Sequence, residues 1–231
     1  GVQTCALPIF DGRVDVVADL ALGTTGAGNT AHVVIVRVTS PSQVRDVVVP
    51  GQVQDGRFVR DSGVSRLLQP GVFGDFTVDI LKEGIPDGLL SEIDVDQSND
   101  SVIVASDSTA VMVKWQLDAT QSPAPQRLLA LSGTGLAPEV RAVVRWRDPD
   151  GIERTIMTAA EYLSGAEDGW TWAVNVVREH ALGGNVDAVE PFAVLGDMTG
   201  RMHLEFARSG EGAWHAASIL ELHRQIGRAH V

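Results

Sequence analysis

The sequence predicts an α+β chain: a β-rich amino-terminal segment, a mixed unit of five strands and one helix, and the opening helices of an α-helical lobe. Three observations carry this expectation. Apolar residues recur with period two or in short β-branched runs through the first two-thirds, a single short helical pattern interrupts them, and the period becomes helical beyond Gly165. Of the 231 residues, 44% are hydrophobic, enough for a sizeable core.

The ends stand apart from this pattern. Residues 1–9 (GVQTCALPI) and 226–231 (IGRAHV) read as translations of one sequencing adapter. Codons for Thr-Cys-Ala-Leu-Pro-Ile can be written so that the opposite strand encodes Ile-Gly-Arg-Ala-His-Val. Both are set aside, leaving 10–225 as the expected natural segment, clipped at both ends. The start is no secretory signal, for it lacks a basic leader and an apolar region of sufficient length. The only cysteine, Cys5, lies in the first tag, so the natural segment offers no disulfide, Cys-ligated metal or thiol nucleophile. A reducing cytoplasm suits that composition. The net charge of -12 argues against nucleic acid or an anionic membrane as the main partner. No run approaches the ~20 apolar residues of a membrane span.

Within the first segment, expected to form a domain over 10–90, the strand candidates are 14–17 (VDVV), 32–38 (HVVIVRV), 46–49 (DVVV) and 76–81 (FTVDIL). Turn formers separate them at 23–29, Pro41-Ser42, Pro50-Gly51 and Asp55-Gly56. A short helix is expected near 62–69. The second unit, 91–165, opens with a strand at 94–96, a polar loop Gln97-Ser98-Asn99-Asp100, and strands at 101–104 and 110–115. A helix over 125–131 ends at Gly133 and Gly135, and strands at 140–146 and 155–163 flank the turn Asp148-Pro149-Asp150-Gly151. The third unit, 166–225, begins with a helix capped by Asp168, carrying Trp170, Val174, Val177 and Ala181 on one face and ending at Gly183-Gly184. A second helix, 191–208, aligns Leu195, Met198, Met202 and Phe206. Trp170 and Trp172 read as helix packing rather than as a ligand platform.

The residues able to do chemistry gather in the second unit. A polyphosphate must be held by backbone donors from a tight loop and by a cation that reaches its oxygens. The loop 97–100 and Lys114, at the end of the third strand, offer both. The loop contains no glycine and fits no Walker or GxGxxG pattern. Taken alone, it is equally an ordinary hairpin turn, and Lys114 a strand-end lysine whose stem lies over apolar neighbours. Composition adds weight to the lysine: of 18 basic residues only Lys82 and Lys114 are lysines. In a chain that favours arginine so strongly, a lysine kept within an apolar strand has a reason to be there.

Other constellations are weaker. The histidines His32, His180, His203, His215 and His223 show no metal-ligand spacing with nearby carboxylates. Asp94 and Asp96 share a strand face but read as a solvated edge rather than a calcium site. No nucleophile elbow occurs.

Taken together, DQSNDSVI at 96–103, Val113-Lys114-Trp115, YLSGAEDGWTW at 162–172, and Leu195-Gly196 followed by Met202-His203 resemble the actinobacterial maltokinase and glucosamine kinase group of aminoglycoside-phosphotransferase-like sugar kinases. The order β-β-β-α-β-β matches their protein-kinase-like amino-terminal lobe, and the segment before residue 90 takes the place of their β-rich cap domain. The resemblance implies ATP as phosphoryl donor, Mg2+, and a small-molecule sugar as acceptor. It assigns Lys114 to the phosphates, Gln97, Ser98 and Asn99 to the loop over the triphosphate, and Glu161, Tyr162 and Leu163 to the hinge whose backbone binds adenine.

Two departures stand out. The helix after the lysine strand normally supplies a carboxylate to the lysine, yet 121–135 contains no Asp or Glu. No His-Gly-Asp catalytic segment occurs, so the catalytic and magnesium-binding residues are expected beyond this chain and the fragment itself is expected to be inactive. Trp115 and Pro123-Ala124-Pro125 point to the glucosamine branch, with maltose as the competing substrate. A non-catalytic kinase-like module is the alternative of another class.

Overall fold

The structure, a computed structural model, describes residues 12–92, 99–119, 124–167, 169–183 and 190–209. Its contacts divide the chain into two units, the first comprising residues 1–125 and 138–166 and the second 126–137 and 167–231.

The first unit holds two antiparallel sheets. One has four strands in sequential order, β1 (Arg13–Thr24), β2 (Thr30–Ser40), β3 (Gln43–Gln54) and β4 (Arg57–Arg60). β-branched residues alternate along these strands, so that Ala31, Val33, Ile35 and Val48 lie on one buried face. Asp55 and Gly56, with φ of 49° and 74°, form the tight β3–β4 hairpin expected from the sequence.

Pro50-Gly51 does not form the expected turn. Both residues lie inside β3, opposite Val33 and His32. Pro50 is tolerated because its missing N–H would point to the side where β4 has already ended, and there its carbonyl accepts from the Asp61 amide at 3.0 Å. Gly51 is required by packing: a Cβ would sit 2.5 Å from the Val59 carbonyl oxygen and 2.6 Å from the Phe58 ring.

After β4, a 3-10 helix (Ser62–Leu67) is capped by Asp61, whose carboxylate accepts from the Gly63 amide at 2.8 Å. The second sheet follows. Its strands are β5 (Gly71–Phe73), β6 (Phe76–Ile80), β7 (Leu89–Glu92), β8 (Asn99–Ala105), β9 (Ala110–Gln116), β10 (Val140–Arg147) and β11 (Glu153–Glu161). They are ordered β5-β6-β10-β11-β9-β8-β7. This sheet has seven strands rather than the five expected, because β5 and β6 extend it through pairing of β6 with β10. The boundary expected at residue 90 therefore falls inside β7, and strands from the segment expected to be the cap complete the second sheet. The expected strand at 94–96 lies outside the described residues.

The two sheets share one core. Leu20, Val33, Ile35 and Val48 of the first cluster with Val64 and Leu68 and with Phe76, Val102, Val113, Trp115, Trp146 and Met157. Trp115 and Trp146 are almost wholly enclosed, and burying such aromatics is worth about 3 kcal/mol or more each.

The second unit contains all but the first two residues of α1 (Ala124–Leu131), together with α2 (Gly169–Ala181) and α3 (Glu190–Ser209). The left-handed Gly183, φ 83°, ends α2 as expected, with its amide donating to the His180 carbonyl at 3.2 Å. Asp168, the expected cap, lies outside the described residues. The expected α2 face is not the packed one: Trp170 is 79% exposed, whereas Trp172 meets Phe192 of α3 with ring centroids 5.3 Å apart. The α3 stripe is buried only at Phe206, while Leu195 and Met198 remain exposed. Among the described residues no helix is long and apolar enough to cross a membrane.

Candidate nucleotide site

Strand alternation sets the orientation of Lys114. Along β9 the side chains of Val111, Val113 and Trp115 enter the shared core, so Met112 and Lys114 lie on the opposite face. Residues directly opposite in antiparallel strands project to the same side. Lys114 pairs with Ser101 of β8 and with Thr158 of β11, and Met112 with Ile103 and Ala160. The ammonium stem thus lies in a row that is hydroxyl-bearing on both sides, next to an apolar row running toward the end of β11. Lys114 is half-buried and forms no ion pair with any described residue.

Glu161, Tyr162 and Leu163, the expected hinge residues, follow directly from that apolar row. The Glu161 amide donates to the Glu139 carbonyl at 2.9 Å, and the Tyr162 amide to the Ala110 carbonyl at 2.8 Å. The sheet therefore consumes two of the three amides. Among the described residues the Leu163 amide donates to no backbone carbonyl. Alternate residues of an extended chain direct their polar groups to the same edge, so the Glu161 carbonyl and the Leu163 amide face the same way. Gly165, φ 76°, then turns the chain, and the Leu163 carbonyl accepts from the Ala166 amide at 3.3 Å.

Of the loop, Gln97 and Ser98 lie outside the described residues. Asn99 opens β8 opposite Gln116, and Asp100 is ion-paired with Arg60 at 2.7 Å. Asp94 and Asp96 are likewise not described. Among the described residues no group of three His, Cys, Asp or Glu side chains could hold a metal ion. His32 is instead paired with Asp19 at 2.8 Å on the first sheet, far in sequence from the lysine strand.

The sequence expectation named Lys114 and residues 161–163 but not which of their amides the sheet takes up. That depends on Glu139 and Ala110, whose pairing with Glu161 and Tyr162 is set only when β10 and β9 flank β11.

No protein-family model matches the chain. Two curated glucosamine kinases do: that of Mycolicibacterium smegmatis is 44% identical over 93 residues, and that of Streptacidiphilus jiangxiensis 36% identical over 133 residues. These alignments take in 38% and 54% of this chain but only 23% and 30% of the relatives. A solved glucosamine kinase superposes with a TM-score of 0.67 at 27% identity, covering 85% of this chain and 46% of its own. A glucosamine kinase in complex with glucosamine, ADP and inorganic phosphate gives 0.66 at 26% identity, covering 90% of this chain and 49% of its own. The chain thus spans less than a third of the curated relatives in alignment and just under half of the solved ones. In sequence and in fold, it resembles the glucosamine kinases of actinobacteria.

Proposed function

We propose that this chain is the amino-terminal part of an ATP-dependent sugar kinase that transfers the γ-phosphoryl group of ATP to a hydroxyl of glucosamine. The supporting observation is the likeness, over 90% of this chain, to a glucosamine kinase bound to glucosamine, ADP and phosphate. The resemblance of both curated relatives to the same enzyme favours the aminosugar over maltose.

In this reading the residues 13–60 form most of a cap, residues 71–163 the nucleotide-binding lobe, and residues 167 onward the start of the helical lobe. Lys114 offsets charge on the α and β phosphates, and Gln97, Ser98 and Asn99 are assigned to the triphosphate. The adenine edge is read by two backbone atoms, the Glu161 carbonyl and the Leu163 amide, with Tyr162 holding the hinge to β9. Magnesium neutralises the remaining phosphate charge in such transfers, and its ligands and the base for the sugar hydroxyl are assigned to the polypeptide beyond these residues.

Recovery of the longer reading frame tests the assignment. The complete protein should release ADP with glucosamine at least about tenfold faster than with maltose at equal concentration, the discrimination expected of sites built to bind a polar substituent. A preference for maltose would reverse the substrate assignment. A frame without an aspartate base and later magnesium-binding acids would instead favour a non-catalytic nucleotide-binding module. The present chain alone should transfer no phosphoryl group.

A further inference from the structure

A lysine that contacts phosphate must have its strand fixed, and no described carboxylate holds the Lys114 ammonium. The strand is fixed from the other sheet. Just past β9 the chain runs beside β3: the Val48 amide donates to the Leu117 carbonyl at 3.1 Å and the Ala119 amide to the Asp46 carbonyl at 2.9 Å, around a bridge between Val47 and Asp118. Next to Lys114, the Trp115 indole Nε1 donates to the Ser62 carbonyl at 3.2 Å. Across the ladder, Asp100, opposite Trp115, is ion-paired with Arg60 of β4.

Asp46 is where these ties converge. Its side chain is 8% exposed and takes a two-pronged bond from Arg37, directly opposite on β2, with Nε–Oδ1 and Nη2–Oδ2 both 2.7 Å. Two parallel bonds between a guanidinium and a carboxylate fix orientation as well as distance. One residue therefore holds the segment after the lysine strand through its carbonyl and an inner strand of the four-stranded sheet through its carboxylate.

We infer that the four-stranded sheet braces the lysine strand in place of a helix carboxylate, with Asp46 as a positioning residue for Lys114 and Arg60 as a second tie. The inference rests on the reading of Lys114 as a phosphate-binding residue. The brace acts on the backbone and takes up none of the ammonium's charge.

The test uses the complete enzyme with three variants, Lys114→Ala, Asp46→Asn and Arg60→Gln, and amide exchange of residues 110–119. Asp46→Asn keeps the shape but breaks the charge-assisted pair, and should raise the KM for ATP about three- to tenfold with the glucosamine KM unchanged. It should also speed exchange of the β9 amides. Arg60→Gln, on a half-exposed side chain, should act in the same direction and serves if Asp46→Asn does not fold. If Lys114→Ala impairs ATP use while neither tie variant changes the ATP KM or β9 exchange, the brace is refuted and the lysine reading survives. If Lys114→Ala leaves the ATP KM unaltered, the lysine reading fails and the inference with it.

Discussion

Gly88 immediately precedes β7, an edge strand, and it allows β7 to lie against β8. A Cβ at this position would collide with the Ala105 carbonyl oxygen, 2.5 Å from its carbon, and would approach the Ser106 nitrogen to 3.0 Å. All three contacts are backbone, so no side-chain rotation relieves them. Overpacking of this kind costs roughly 1–3 kcal/mol, and rigid neighbours place Gly88→Ala at the upper end. The cost has a ceiling, because the protein can instead release β7. That strand makes four pairings with β8, and Leu89 is 82% exposed, so little apolar area is lost when it leaves. The predicted result is a loss of about 2 kcal/mol in urea unfolding, with amide exchange accelerated at residues 102–105 relative to the rest of the sheet. Gly26→Ala is the control: a Cβ there meets nothing within 4 Å, and stability should change by less than ~0.5 kcal/mol. Wild-type stability together with unchanged exchange in Gly88→Ala would refute the close-approach argument.

Other outcomes follow from the same packing. Gly51→Ala should destabilise by about 1–2 kcal/mol in denaturant titration; adding Phe58→Ala should restore only part of this, since the ring can be removed but the Val59 carbonyl cannot. Full restoration would show that the ring alone is limiting. Asp148 organises the β10–β11 turn, and burial pushes its carboxyl up. Bonds from the Ile152 amide, the Arg154 guanidinium and the Asp150 amide outweigh this and leave it below the ordinary carboxylate value. A group held low in the folded state stabilises above its unfolded pKa near ~3.9 and loses that contribution as pH falls through the folded value. Asp148→Asn should therefore flatten the loss of urea midpoint between about pH 5 and pH 2, and an unaltered acid limb would contradict it.

What the sequence made legible was chiefly what alternation encodes. Runs such as 32–38 and 110–115 identify strands and their buried faces, and so the side of the sheet on which Lys114 stands. Short strands escaped: β4 is fully exposed and β5 and β7 have three and four residues, too few for a period. Pro50-Gly51 read as a turn because a proline in mid-strand is disfavoured unless its missing donor faces a vacated edge, a condition set by where β4 ends. The joining of β6 to β10 brings residues 76 and 146 together and leaves no local trace. Trp170 and Trp172 look equivalent on a helical period, yet only Trp172 finds an aromatic partner on α3. The pairings of the Glu161 and Tyr162 amides belong to the same class, being made with residues more than 20 positions away.

Lys114 carries the functional account, and the direct measurement is ADP release from ATP and glucosamine by the complete protein and by its Lys114→Ala variant. A charge-assisted bond to phosphate is worth about 1.5–3 kcal/mol, so kcat/KM for ATP should fall by roughly 10- to 150-fold while the urea midpoint stays near wild type. An unchanged kcat/KM for ATP in a folded Lys114→Ala protein would contradict the account.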